Sequence, residues 1–257
     1  MEKVAIGIPF YNTVPSEWWV QLVEHAAIWG KQIDYKGLHA CGTMTADNSR
    51  NMIVNDFLKT DADWLFWIDS DTVVPIGALP RLLSVGKTMV SGLYYGKNDP
   101  HPPIAYHIHN GAYTPIDNNL RWERGEILPV DMTGFGCMLT HRSVYEDILK
   151  NYTVFQQKES GGLYPIYNGD IQGSYEESHS HDGLVWRGQL RIRLVKPTLS
   201  DYKFPFFQIE HNRTEDVFFC NMARRVGHKP WLDTSVECGH LRYVPFTGED
   251  YRNIKGH

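Results

Sequence analysis

Two acidic side chains, Asp69 and Asp71, interrupt the apolar run WLFWIDSDTVVP at residues 64–75. An ionised carboxylate is costly to bury unless something compensates its charge. Along an extended segment, residues i and i+2 point the same way, so this spacing predicts two carboxylates converging on one cation. Hard oxygen donors suit Mg²⁺ or Mn²⁺, ions that bind through one or two carboxylates and leave room for substrate phosphates. Taken alone, Asp-Ser-Asp also reads as a turn whose side chains cap backbone groups.

The surrounding elements must hold this triplet in place. KVAIGIPF reads as a buried first strand ending at Pro9, and Ser16 caps a helix over residues 17–30 with an apolar face at Trp19, Leu22, Val23 and Ala26. DYKGLHACG supplies a second strand. Asp47, Asn48 or Ser49 then caps a helix with Ile53, Val54, Phe57 and Leu58 on its apolar side, and WLFWID follows as a strand. A helix over residues 77–85 and the strand TMVSGLYYG continue the alternation, which predicts an α/β fold with a mostly parallel sheet flanked by helices. In such a sheet ligands bind beyond the carboxyl ends of the strands, where the triplet stands. Further on, VDMTGFGCMLTHRSVYEDIL reads as a strand or turn with two glycines, then a helix. TEDVFFCNMARRVG is a capped helix with apolar positions Val217, Phe218, Met222 and Val226 and a stop at Gly227, and KPWLDTSVECGHL a strand pair. Residues 150–207 show no sustained period and read as an irregular loop or lid.

Composition narrows the classes. A chain of 257 residues, 42% apolar, supports one sizeable domain. Its formal charge of -5 argues against a general polyanion binder. The cysteines (Cys41, Cys137, Cys220, Cys238) are far apart with no C-x-x-C pair, which suggests reduced thiols in a cytoplasm rather than a disulfide framework or a zinc cluster. The opening MEKVAIGIPFYN is too short an apolar run for a signal peptide or a membrane span. The histidine clusters HIH at 107–109 and SHSHD at 178–182 have no accompanying ligand framework and read as surface loops.

The ordered set IGIPFYN, NSRNMIVNDFL, DWLFWIDSDTVVP, MVSGLYYGK, TGFGCMLTHRSVYEDI, PFFQ, TEDVFFCNMARRVG and WLDTSVECGHL resembles a GT-A-fold glycosyltransferase of the broad family-2-like group found in phage and bacterial genomes. The resemblance covers most of residues 3–241, except for a middle segment of about 150–203 that matches no part of it. It implies one GT-A-like, Rossmann-like domain over 1–257: a nucleotide-binding half (1–95), an acceptor side with the irregular insertion (96–210), and a closing helix, metal-ligand strand and tail (211–257). It implies a nucleotide-sugar donor and a divalent metal, Mn²⁺ or Mg²⁺. Pro9, Tyr11 and Asn12 would border the base and ribose, with Ser70 beside them. Arg50 would reach the diphosphate or a ribose-binding carboxylate, helped by a helix N-terminus. Asp71 would be the more direct metal ligand, Asp69 turning toward ribose or a metal-bound water, and His240 would complete the metal site.

The resemblance further implies that Asp216 is the general base of an inverting transfer, with Glu215 as an acceptor-binding partner or substitute base. Acidic residues in a first helical turn are favoured by the helix dipole in any case. Gly134 and Gly136 would let backbone approach the donor sugar. A UDP-sugar is the default donor, with a GDP-sugar second, and the acceptor is a glycan, a small molecule or modified DNA. WRGQLRIRLVK at 186–196 sets Arg191 and Arg193 on one face of a strand, which suits either an anionic acceptor or a charged edge strand. The competing functions are a nucleotidyltransferase that makes nucleotide-sugars, whose Gly-rich phosphate loop is missing here, and a non-catalytic carbohydrate-binding relative. The expected location is the cytoplasm, the host's if the chain is phage-encoded.

Overall fold

The computed structural model describes residues 1–10, 14–42, 44–116, 121–157, 162–170, 184–187, 190–195, 204–210 and 213–241. The chain begins with β1 (Lys3–Pro9), α1 (Ser16–Trp29), β2 (Asp34–Cys41), α2 (Ala46–Leu58), β3 (Trp64–Ile68), β4 (Thr72–Val73), α3 (Ala78–Ser84) and β5 (Met89–Leu93). It continues through β6 (Ala105–His109), β7 (Ala112–Pro115), β8 (Ile127–Pro129), β9 (Met132–Thr133), β10 (Cys137–His141) and α4 (Arg142–Asn151). Then come β11 (Tyr152–Gln157), β12 (Leu163–Tyr167), β13 (Leu184–Arg187), β14 (Leu190–Val195), α5 (Glu215–Arg225), β15 (Trp231–Glu237) and β16 (Gly239–His240).

A seven-stranded sheet in the order β2-β1-β3-β10-β5-β15-β8 forms the centre. β2, β1, β3, β5 and β15 share one direction, and β10 and β8 oppose them. This is the mixed, mostly parallel sheet flanked by helices that the alternating pattern predicted. Side chains divide between its faces with period two. Leu65 and Trp67 of β3 pack with the apolar sides of α2, α4 and α5, while Phe66 and Ile68 pack with Trp18 and Trp29 of α1 and Leu79 and Leu82 of α3. Burial on both faces is why β3 reads as an unbroken apolar run. The chain leaves β1 for β2 on one side and returns to β3 on the other. A crevice opens at such a reversal, beyond the carboxyl ends of the strands.

Several expectations are corrected. α1 buries Trp18, His25 and Trp29 and exposes Trp19 and Val23. The apolar side chains spread over more than half of the helix circumference, so periodicity did not single out the buried stripe; the buried indoles face inward because each N–H finds a main-chain carbonyl. Ser16 does not cap it: Pro15 holds the N-cap position and the Ser16 hydroxyl donates to Glu17. α2 begins at Ala46, before Asp47, Asn48 and Ser49, with Thr45 as its N-cap residue. The segment read as irregular contains β11 to β14 as an antiparallel sheet in the order β12-β11-β14-β13. These strands are only 4–6 residues long, too short to show a sustained period. β14, which carries Arg191 and Arg193, lies inside that sheet and not at its edge. WLDTSVECGHL forms two strands that do not pair with each other: β15 joins the central sheet and β16 pairs with β4. HIH falls on β6, paired with β7, while SHSHD lies outside the described residues. Among the described residues no helix is long and apolar enough to cross a membrane.

Candidate functional site

α2 lies tightly on β1, because a Cβ at Gly7 would stand 2.9 Å from Ile53 Cγ2. Ile53, Val54 and Phe57 anchor the helix and carry Arg50, 3% exposed, to the carboxyl ends of the strands. The Arg50 guanidinium lies 5.5, 5.4 and 5.8 Å from the ring centroids of Trp67, Phe135 and Phe207. Its Nη2 donates to both oxygens of Asp69, at 2.9 and 3.2 Å. Its Nε faces Glu215 at 3.4 Å and Asp216 at 3.5 Å. Nη1 is buried without a hydrogen-bond partner. α5 delivers the two acids by burying Val217, Phe219 and Cys220, with Phe219 stacked on Phe207 at 4.6 Å. The Asn51 side chain bonds both the carbonyl and the N–H of Phe207, tying that segment to α2.

Three carboxylates around one guanidinium leave negative charge in surplus. Burial pushes the Asp216 carboxyl up to about 8; Arg50 opposes the shift while Glu215 and Asp69 add to it. Burial also raises Asp69 against the pull of Arg50. Burial penalises the Arg50 charge as well, but the carboxylates outweigh it and hold the guanidinium above its ordinary pKa.

Asp71 faces a different environment. Its side chain is 40% exposed, pairs with the Lys97 ammonium through Oδ2, and stands 3.5 Å from His240 Nε2 through Oδ1. Pairing of β16 with β4 sets His240 opposite Thr72, and the Leu241 N–H donates to the Asp71 carbonyl at 2.7 Å. His240 Nδ1 donates to the Tyr95 carbonyl at 2.8 Å, which directs Nε2 toward Asp71. Burial alone would raise Asp71, but His240 and Lys97 hold its carboxyl down at about 2. The same contact raises His240.

Asp69 and Asp71 therefore do not converge. The Thr72 N–H donates to the Asp69 carbonyl at 3.0 Å, closing a turn, so the alternation of an extended strand no longer applies. Asp69 joins Arg50 and Asp71 joins His240, and among the described residues no three His, Cys, Asp or Glu side chains gather to hold a metal ion. α1 fixes this turn from outside. The Trp18 indole donates to the carbonyls of Asp69 and Thr72 at 3.0 Å each, Gln21 donates to Val74 at 2.6 Å, and Trp29 donates to Ile76 at 2.8 Å. His25 lies between the carbonyls of Gln21 and Val74.

A cavity of about 250 Å³ opens where the two clusters meet, and Pro9, Arg50, Asp69, Ser70, Asp71 and Glu215 all line it. Asp216 is not on its lining. Tyr11 and Asn12 lie outside the described residues. Gly134 and Gly136 serve a different neighbour from the one expected. A side chain at either would meet the Tyr94 ring, whose hydroxyl accepts from the Gly136 N–H at 3.1 Å. Sequence reading gave no site role to Lys97, Phe10 or Ser49 (the last only a candidate helix cap), although Phe10 and Ser49 also line the cavity. The signal for Lys97 was position: β5 runs parallel to β3, so a cation just past its end stands at the same edge.

No protein-family model matches the chain, and no curated protein matches it. Among solved structures it is similar to A197 from STIV, at 14% identity and a TM-score of 0.49, over 94% of this chain and 86% of that one. It is also similar to GalNAc-T7 with UDP, GalNAc and Mn²⁺, at 11% identity and a TM-score of 0.46. That likeness covers 95% of this chain but 44% of the other, so the chain spans less than half its length. Likeness at this level assigns no function, and the fold is defined by the chain's own strand order.

Proposed function

We propose that the chain is a metal-dependent glycosyltransferase that moves a sugar, with inversion, from a nucleotide-sugar, a UDP-sugar before a GDP-sugar, to a hydroxyl acceptor. The observation that carries this reading is the meeting of two unlike clusters at one cavity: a buried guanidinium with three acids, and an ionised aspartate facing an imidazole. Pro9 and Phe10 form the wall against which the base would lie, and Tyr11 and Asn12 follow them in sequence. Arg50 has a buried Nη1 and Ser49 a buried Oγ with no hydrogen-bond partner, donors that suit the diphosphate.

Asp71 and His240 suit an open metal site with two protein donors, because the Nδ1–H bond to Tyr95 is the kind of support that orients a metal-ligating imidazole. Mn²⁺ or Mg²⁺ held there would offset the charge that grows on the departing diphosphate. Asp216 takes the proton of the attacking hydroxyl, its raised pKa matching a base that works near neutrality. Glu215, on the cavity wall, binds the acceptor or substitutes as base.

A thermal-shift panel of nucleotide-sugars with and without Mn²⁺ tests the proposal, since a ligand that binds only the folded chain raises its Tm. One nucleotide class should stabilise the chain in a metal-dependent way and then slowly release its nucleoside diphosphate. A response to nucleoside triphosphates instead would indicate nucleotidyl transfer, and a flat panel would remove the assignment.

A further inference from the structure

Lys97 stands four residues past the end of β5, and its ammonium is bonded to Asp71 Oδ2 while Oδ1 faces His240. The carboxylate best placed to bind a cation already holds one. The pair is open, with the lysine side chain 37% exposed and the aspartate 40%, so it is weakly held and exchangeable. The backbone is held on both sides of it: the Gly96 N–H donates to the Pro102 carbonyl at 2.8 Å, and the His101 N–H donates to the Asn98 carbonyl at 2.7 Å. Only the long, flexible stem has to move. A second cavity of about 210 Å³, lined by Tyr95, Lys97, His101 and His240, gives that stem room beside Asp71.

We propose that Lys97 is the resident counter-ion of Asp71, that a divalent cation displaces it, and that the freed ammonium closes on the phosphates of the bound nucleotide. This rests on the glycosyltransferase reading and adds a residue to it. Two cations on one small carboxylate repel each other, so the ion can settle between Asp71 and His240 only as Lys97 leaves. Once Asp71 is neutralised, the diphosphate in the neighbouring cavity is the strongest negative charge within reach of the stem. One lysine thus keeps the site ordered before substrate arrives and grips the substrate afterwards.

The exchange predicts effects of opposite sign. Mn²⁺ binding is measured on wild type and Lys97→Met by the electron paramagnetic resonance of the free ion, with no nucleotide present. UDP and GDP binding is then measured by calorimetry at saturating Mn²⁺. Loss of the competing ammonium should tighten Mn²⁺ about fivefold, the scale of an exposed ion pair. Loss of a charge-assisted phosphate contact should weaken whichever diphosphate binds wild type by roughly tenfold. Lys97→Gln should repeat both changes, and Lys97→Arg should keep the wild-type pattern. Equal Mn²⁺ affinity in wild type and variants overturns the proposal, as does a joint weakening of metal and nucleotide, which a merely structural role would give. If wild type itself binds neither Mn²⁺ nor either diphosphate, the glycosyltransferase reading falls and the exchange falls with it.

Discussion

Around Arg50, three carboxylates share one buried guanidinium, and the surplus of negative charge drives Asp216 up to about 8. Around Asp71, a lysine and a histidine attend one half-exposed carboxylate and hold it at about 2. The two clusters meet across a single turn, Asp69 to Thr72. The same residue type is pushed toward holding its proton on the buried side and is kept ionised on the open side. Environment assigns the role, through desolvation on one side and cationic neighbours on the other.

The sharpest way to break this contrast is Asp216→Asn. Removing a general base should lower kcat by about 10²–10⁴-fold, and wild-type activity should fall on the acid side with a midpoint near the raised pKa of about 8. Stability moves the other way. The unfolded chain releases this proton near its ordinary value of 3.8, whereas the folded chain keeps it until about 8. The folded state therefore binds more protons between those values, and wild type loses stability as pH rises through the window and levels off above it. Asn removes that loss, so the variant should melt higher than wild type at pH 8 in a scan across pH. Glu215→Gln should cost less activity and move the pH midpoint down, because the Glu215 charge helps to raise Asp216.

Arg50→Met attacks the buried cluster from its cationic side. It strands Asp69, Glu215 and Asp216 without their partner, and breaking a buried pair in this way costs about 3–5 kcal/mol. Urea unfolding should register it as a lower midpoint. Arg50→Lys keeps the charge but loses the planar contact with Trp67, Phe135 and Phe207, and should recover only part of the stability.

Asp71→Asn tests the open side. Loss of the charge that would bind the metal should lower kcat/KM by about 10²–10³-fold, the scale of one lost electrostatic stabiliser. Stability should change by at most about 1 kcal/mol, because the pairs it breaks are partly solvated. A large loss of stability here, or a small one in Arg50→Met, would erase the distinction between the two clusters.

How far these clusters were legible in the sequence depends on what fixed each residue. The parallel sheet was legible because strands buried on both faces must be apolar throughout, as in WLFWI, and α2 showed its face through Ile53, Val54 and Phe57. Motif order placed Arg50, Asp71, Glu215, Asp216 and His240 in one region, and the structure brings them to one edge of the sheet. The separation of Asp69 from Asp71 was not legible, because a turn closed by one backbone bond overrides the alternation that spacing assumes. Lys97 was hidden in a Gly-, Pro- and His-rich stretch, where only the direction of β5 reveals which edge it reaches. Gly134 and Gly136 stood out in the sequence, but the group they make room for is the Tyr94 ring, set by a contact about 40 residues away in sequence. The inward face of α1 could not be read either, since it was decided by partners in residues 69–76.

That last point gives the smallest and most discriminating prediction. Trp18, Gln21, His25 and Trp29 form one stripe of α1 against the carbonyls of the segment carrying Asp69 and Asp71. Gln21→Leu removes the amide that donates to Val74, but His25 still faces the same oxygen at 2.7 Å, so no buried carbonyl is stranded. The loss should stay within the net value of one neutral hydrogen bond, about 0.5–1.5 kcal/mol. In a chain of this size that lowers Tm by about 2–4 °C. Val74 lies three residues beyond Asp71 and past the turn, so a slackened α1 should shift the Asp71 side first. Half-saturation by Mn²⁺ should rise a few-fold while the pH midpoint assigned to Asp216 stays fixed. If instead the pH midpoint moves and the metal dependence does not, α1 positions the buried cluster, and the two sides of the turn are mechanically one.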